Sequence, residues 1–283
     1  MQVIGLCRFS YPAIGGFQVE HGTMAERIAY LYSDARMEER FRLFETVALP
    51  SLRAQSDPDF DLVIVTGDSL PRQHRDRLCD LTAGLPQVRI AAEPPRRHRE
   101  VMKELLNRAR RDPDRPCLQF RFDDDDAVAG EFVERLRETA ADCAPLLAKT
   151  DTAAIDFNRG YIAEFSAAGI AATAPAVHPY FTAALAMYAA GGCRKSVMNF
   201  AHHRIHHHMP TVTVTDVPMW VRSHNRFNDS RQERARPAAV APLTPKQERD
   251  FATVFGIDAA RVRAVFSAGQ DGVGGPPGAP GRR

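Results

Sequence analysis

The stretch from Cys117 to Asp126 constrains this chain most. Leu118, Phe120 and Phe122 alternate with Cys117, Gln119 and Arg121, and four consecutive aspartates follow, Asp123 to Asp126. A period of two is that of a strand with one buried face. Four carboxylates at the end of a strand repel one another, and the repulsion is relieved by a shared cation or by capping the next helix. Glu131, Phe132 and Leu136 signal such a helix. Capping takes one acid, not four. A hard divalent cation, Mg²⁺ or Mn²⁺, suits carboxylate oxygens and usually holds substrate phosphates as well. Strand alternation sends Asp123 and Asp125 to one side and Asp124 and Asp126 to the other.

The chain before this stretch alternates strands and helices. Val3 to Cys7 reads as a buried strand, with Arg8 at its carboxyl end. In open α/β sheets that end faces the ligand, which makes Arg8 a candidate phosphate contact or else a surface ion pair. Gly15 to Tyr32 has weak periodicity and reads as a loop with a short helix. Met37, Phe41, Phe44, Ala48 and Leu52 recur at helical spacing, with Pro50 near the end. Phe60 to Val65 reads as a second strand, Pro71 to Ala83 as a helix, Gln87 to Ala92 as a third strand and Glu100 to Arg111 as a further helix. This is the pattern of a mostly parallel sheet.

After the acids the character changes. A helix is expected over about 130–143. Ala153 to Phe157 and Tyr161 to Phe165 read as a hairpin, and Thr182 to Tyr188 as a strand. A helix from about Arg194 to His208 ends at Pro210, and strands follow at Thr211 to Thr215 and Met219 to Arg222. Residues 231–268 read as a Pro/Ala linker and short helices. The Gly/Pro-rich residues 269–283 are expected to be disordered.

Composition excludes several classes. A net charge of +2 over 283 residues gives no basis for nucleic-acid binding. The five cysteines form no CxxC pair and are odd in number, as expected of free thiols in a reducing compartment. No basic-flanked leader and no apolar run of about 20 residues is present. The expectation is a soluble, cytoplasmic protein without a transmembrane segment, peripheral contact with a membrane remaining open. Only four of the 37 basic residues are lysine. Arginine suits bidentate phosphate contacts, although a compositional bias that also favours Ala accounts for most of the excess.

Five of the ten histidines fall within residues 202–208. On a helix, His202 and His206 would share a face, as would His203 and His207, and such pairs bind zinc. A zincin needs Glu directly after the first His, and none stands there. A solvated basic patch near an acceptor is the better reading of the cluster.

Leu49-Pro50-Ser51-Leu52-Arg53-Ala54-Gln55-Ser56, followed by Phe60-Asp61-Leu62-Val63-Ile64-Val65, resembles the early helix and strand of family 2 glycosyltransferases of the GT-A fold. The acidic strand ending is similar to their DxD motif. Arg8-Phe9 after the first strand, the four aspartates, Trp220-Val221-Arg222-Ser223-His224 and Asn228-Asp229-Ser230 resemble a bacterial rhamnosyltransferase group. The likeness covers roughly 1–230.

It implies a GT-A-like α/β domain over 1–230, a Rossmann-like, mostly parallel sheet with helices on both faces, and a small C-terminal helical appendage. It implies sugar transfer, rhamnose being one candidate sugar, from a nucleotide-sugar donor to a saccharide or glycolipid acceptor in surface polysaccharide assembly. Inversion at the anomeric carbon goes with it. Asp123, Asp125 and His224 are the expected ligands of Mn²⁺ or Mg²⁺. Arg8, Asp68, Arg121 and Asp124 are the expected donor contacts, with Asp124 toward the ribose.

The chain departs from the family at two places. Thr66-Gly67 stands where an Asp pair often follows the second strand, leaving Asp68 alone. The usual Glu-Asp that supplies the base is missing, so His202, at its approximate position, and Asp156 are the candidates. Two other classes fit parts of the pattern: a Mg²⁺-dependent phosphohydrolase, which lacks a DxDxT-type loop here, and a non-catalytic carbohydrate- or metal-binding module built on the histidines.

Overall fold

The computed structural model describes residues 1–16, 21–225 and 241–268. Its first half follows the expected alternation. Strand β1 (Gln2–Arg8) leads to helix α1 (Met24–Leu31), which a capping box between Thr23 and Glu26 starts. Helix α2 (Asp34–Leu43) continues through one wider π-type turn, Phe44–Ala48, into α3 (Leu49–Arg53). Strand β2 (Asp61–Gly67), α4 (Arg72–Thr82), β3 (Val88–Glu93) and α5 (His98–Arg108) follow, then β4 (Cys117–Asp123), which carries the first acid. Four strands lie in the order β4-β1-β2-β3, all parallel. Their carboxyl ends therefore share one edge of the sheet, and Arg8 sits directly beside Asp123 in the β1–β4 register.

Period-two alternation divides the core. Val3, Cys7, Leu62 and Ile64 face one side, where Phe41, Phe44 and Leu78 pack. Ile4, Leu6, Val63 and Val65 face the other, against Val101, Met102, Leu105 and Leu106 of α5. Each large apolar side chain so buried stabilises the fold by about 1.5–3 kcal/mol relative to exposure. Helices thus cover both faces, as a parallel sheet requires.

The second half builds outward from β4. After the acids come β5 (Ala127–Val128), α6 (Phe132–Asp142) and the short α7 (Ala144–Leu147). Then β6 (Thr152–Phe157), β7 (Arg159–Ser166), β8 (Gly169–Val177), β9 (Leu185–Ala189), β10 (Thr211–Val214) and β11 (Trp220–Ser223) follow. The main sheet has seven strands, β10-β6-β9-β4-β1-β2-β3, with β9 antiparallel to both neighbours. A second sheet, β5-β11-β7-β8, lies apart.

The expected hairpin of 153–157 with 161–165 does not form. All six residues of β6 are buried, as befits a strand covered on both faces, and β6 joins the main sheet. β7 is only partly buried and pairs with β8 instead. The Trp220 indole N–H donates to the Phe157 carbonyl at 3.1 Å and ties the two sheets together. Trp220 lies opposite Gly160 in the register, and a Cβ on Gly160 would come within 2.1 Å of the indole ring.

The expected helix over 194–208 is replaced by two short 3₁₀ segments, Val197–Asn199 and His202–His207. Ser196 and Asn199 close a capping box, and the buried Gln119 on β4 accepts the Val197 N–H at 3.2 Å. Histidine has little helical preference to set against such tethers. In a 3₁₀ turn residues three apart share a face, so the His202/His206 and His203/His207 pairings do not hold.

The C-terminal helices are α8 (Pro245–Phe255) and α9 (Ala259–Ser267). Phe251, Phe255, Val262 and Phe266 enter the main core. Residues 226–240, which include Asn228-Asp229-Ser230 and part of the expected linker, and the tail 269–283 lie outside the described residues. Among the described residues no helix is long and apolar enough to cross a membrane.

Candidate active site

The acids do not share one fate. Asp123 ends β4, and Asp124 and Asp125 turn the chain toward β5. Asp124 is fully buried and is gripped through both oxygens by the guanidinium of Arg40, whose Nε donates to Oδ2 at 3.1 Å while Nη2 donates to Oδ1. Nη1 of Arg40 reaches Oδ2 of Asp125 at 3.0 Å. Arg40 is itself 3% exposed, on the same face of α2 as Met37 and Phe41. Asp124 therefore does not face a donor ribose. It is a buried counter-ion, and this corrects the expectation for that residue.

Asp126 accepts the Ser223 N–H at 3.2 Å. Burial, and then the Asp125 and Asp123 carboxylates beside it, push Asp126 well above the usual carboxylate range. Asp123 makes no side-chain hydrogen bond among the described residues. Asp125 spends Oδ2 on Arg40 and on the Asn225 amide (2.9 Å), and its Oδ1 accepts no hydrogen bond among the described residues.

These acids line an open pocket of about 260 Å³ at the carboxyl ends of β1 and β4. Five guanidiniums join Asp123, Asp125 and Asp126 there: Arg8, Arg40, Arg99, Arg121 and Arg222. The balance is cationic, which suits an anionic ligand rich in oxygen. Arg8 donates to the Gly16 carbonyl at 3.0 Å. Burial pulls Arg121 below its usual value, against the opposing pull of Asp123. Phe181, Met198, Phe200 and His202 also line the pocket.

His202 reaches the pocket from its 3₁₀ turn. Its Nδ1 lies 2.8 Å from the Tyr180 carbonyl. A carbonyl only accepts, so Nδ1 carries the proton and Nε2 keeps its lone pair. Burial lowers the His202 pKa from its ordinary value, with Arg121 and His203 adding to the fall and the Tyr180 carbonyl and Asp123 opposing it. This environment favours the neutral ring, in which Nε2 is an acceptor.

Besides Asp124, the structure leaves three of the candidate residues outside the pocket. Asp156, fully buried on β6, accepts the Tyr180 N–H at 3.0 Å and the Thr213 hydroxyl at 3.4 Å. Asp68 is exposed beyond the end of β2, where its N–H donates to the Glu93 carbonyl. His224 is exposed, and its ring lies 3.2 Å from Glu164.

Among the described residues, no three His, Cys, Asp or Glu side chains are arranged to hold a metal by themselves. Mg²⁺ rarely needs such a cage. It usually takes one or two carboxylates, with waters and substrate phosphates supplying the rest. The carboxylates of Asp123 and Asp125 in a cationic pocket fit that donor set.

Sequence reasoning missed Arg40 and Gln119. An arginine on an apolar helix stripe, three residues after Met37 and next to Phe41, was the available signal for the first. Gln55 gains a physical role: its amide donates to the Ser51 and Ala129 carbonyls, both at 2.8 Å, and its oxygen accepts the Val133 N–H at 3.0 Å. It thereby pins the exit of the acidic turn to α3 and to the start of α6.

A family model described as "Putative rhamnosyl transferase" matches residues 2–237. The chain belongs to this family. Its main sheet is mixed and mostly parallel, with helices on both faces. No curated protein matches the chain by sequence. Among solved structures, S. aureus TarS 1–349 aligns at 12% identity with a TM-score of 0.41, covering 79% of this chain and 60% of that one. The same protein in complex with UDP aligns at 12% identity and a TM-score of 0.42, covering 79% and 61%. The chain thus spans about three fifths of the TarS chains it matches.

Proposed function

We propose that this glycosyltransferase moves a sugar from a nucleotide-sugar donor to a hydroxyl of a saccharide or glycolipid acceptor, with inversion, His202 being the base. The observation that carries the reading is the pocket itself. Guanidiniums and the carboxylates of Asp123 and Asp125 line one pocket at the carboxyl ends of β1 and β4, and His202, with Nδ1 on the Tyr180 carbonyl, lines the same pocket.

The donor diphosphate lies against Arg8, Arg121 and Arg222, whose planar forks match its oxygens. Asp123 and Asp125 would hold a divalent cation against the same diphosphate, and the cation would neutralise charge that develops on the leaving group. The acceptor hydroxyl attacks the anomeric carbon. The new C–O bond forms as the bond to the diphosphate oxygen breaks, the hydroxyl proton passes to Nε2 of His202, and the nucleoside diphosphate departs. One displacement at one carbon inverts its configuration. General-base assistance of this kind contributes roughly 10²–10⁴-fold. The family's description makes rhamnose the first donor sugar to try, and a cytoplasmic enzyme acting at a membrane-borne acceptor is consistent with the absence of spanning helices among the described residues.

The test is a panel of nucleotide sugars with and without Mn²⁺ or Mg²⁺, scored for transfer or slow donor hydrolysis. His202→Gln should lose turnover while calorimetry still shows donor binding. Near-normal turnover in that variant would remove His202 from the chemistry. Phosphate release from simple monoesters, with no sugar transferred, would replace the reading with a phosphohydrolase.

A further inference from the structure

Asp156 is a buried carboxylate with no cationic partner among the described residues. It is fully buried, it forms no ion pair among the described residues, and burial pushes its carboxyl up to about 6. Its two hydrogen bonds go to the Tyr180 N–H and to the Thr213 hydroxyl. A buried carboxylate is costly unless it fixes something.

What it fixes is unusual backbone. Tyr180 has φ of 59°, in the left-handed region, which is strained for a non-glycine residue. The strained residue follows His178-Pro179 at the end of the connection from β8. Its ring stacks on His206, centroids 4.6 Å apart and planes 15° apart, so the side chain docks on the same 3₁₀ turn that carries His202. Its carbonyl accepts the His202 Nδ1–H. Asp156 therefore holds the amide side of Tyr180 while the carbonyl side of the same residue holds the imidazole. The N–H and the C=O belong to different peptide groups, so no proton or charge passes along this line. The coupling is geometric.

We propose that Asp156 is a positioning residue. Through the backbone of Tyr180 it fixes the ring orientation and tautomer of His202, leaving Nε2 unprotonated toward the pocket. This deepens the proposed function and rests on His202 being the base. Asp156 does not line the pocket and does not touch the substrate. Its carboxylate stands where a more direct arrangement would place an acid against the imidazole, one peptide unit removed.

Two variants separate positioning from direct base chemistry. Asp156→Ala removes the acceptor, and Asp156→Asn keeps an acceptor oxygen for the Tyr180 N–H while abolishing the negative charge. Asp156→Ala should lower kcat by roughly 100-fold, the order expected when a reacting group is misplaced by about 1 Å, with little change in donor KM. Asp156→Asn should recover much of that loss. Imidazole ¹⁵N spectra, with the His202 signals identified by their absence in His202→Gln, give a readout independent of turnover. Wild type and Asp156→Asn should show Nδ1–H and a bare Nε2, whereas Asp156→Ala should show mixed tautomers.

If Asp156→Asn is as inactive as Asp156→Ala while His202 keeps its tautomer in both, the carboxylate itself is doing chemistry and the proposal falls. Asp156→Asn is nearly isosteric, so it carries this decision even if Asp156→Ala does not fold. Normal activity in His202→Gln overturns the base assignment. An unchanged His202 tautomer in Asp156→Ala overturns only the positioning role.

Discussion

Replacing Arg40 with methionine is the sharpest test of how the acidic turn is built. Methionine keeps the stem's apolar contacts on α2 and deletes only the guanidinium. Its hydrogen bonds include two to Asp124 and one to Asp125, all charge-assisted, where Arg40 and Asp124 are 3% and 0% exposed. Removing one partner of a buried pair costs about 3–5 kcal/mol, because the remaining charge is left desolvated. At about 2 °C per kcal/mol for a domain of this size, the melting temperature should fall by roughly 6–10 °C. Urea unfolding of the four members of a double-mutant cycle, wild type, Arg40→Met, Asp124→Asn and the double variant, measures the coupling. It should be near the upper end of the 0.5–3 kcal/mol range for contacting residues, the double variant being more stable than the sum of the singles implies. Additive losses, or an Arg40→Met variant that melts with wild type, would refute the claim that Asp124 is a structural counter-ion.

Other outcomes follow from the same geometry. Arg8→Ala should weaken nucleotide binding by about 1.5–3 kcal/mol, the cost of a lost charged hydrogen bond, read by calorimetry with the free nucleoside diphosphate. An unchanged Kd would make Arg8 a structural tie to Gly16. Because burial lowers the His202 pKa and the base works when unprotonated, the acid limb of kcat/KM should lie below pH 6.5; a limb above that value contradicts the environment described for the ring. Asp156 has a folded pKa of about 6 against an unfolded value near 3.9, so its contribution favours the fold below pH ~4 and is lost as pH rises through 6. Asp156→Asn should accordingly gain stability relative to wild type between pH 4 and 7 in thermal melts, and a pH-independent difference would argue against that titration.

The parallel half of the sheet was legible because each of its strands is a short apolar run between turn residues, and each helix shows an apolar stripe. Helices 37–52 and 100–111 were placed within a few residues of their true bounds for that reason. The failures came where tertiary contacts decide. Ala153 to Phe157 and Tyr161 to Phe165 look alike as apolar runs, yet one lies inside the main sheet and the other in the second. Nothing local distinguishes them except that β6 is buried throughout. His202 to His208 carries no periodic signal strong enough to resist the hydrogen bonds of Gln119 and Tyr180. At the site, the four aspartates stand out in the sequence, but their division of labour depends on Arg40, which lies on a helix remote in sequence.

The C-terminal helices bear on how this turn is completed in time. The Val254 carbonyl accepts the Gly130 N–H at 2.8 Å, and the Gly130 carbonyl accepts from Ser56 at 2.7 Å. The hinge just beyond the acids is thus clasped by a residue outside the span that the family model matches. A nascent chain cannot make this clasp until α8 has left the ribosome, and every strand of the parallel half emerges before it. Until α8 emerges, the backbone just beyond the acids lacks its tie to Val254.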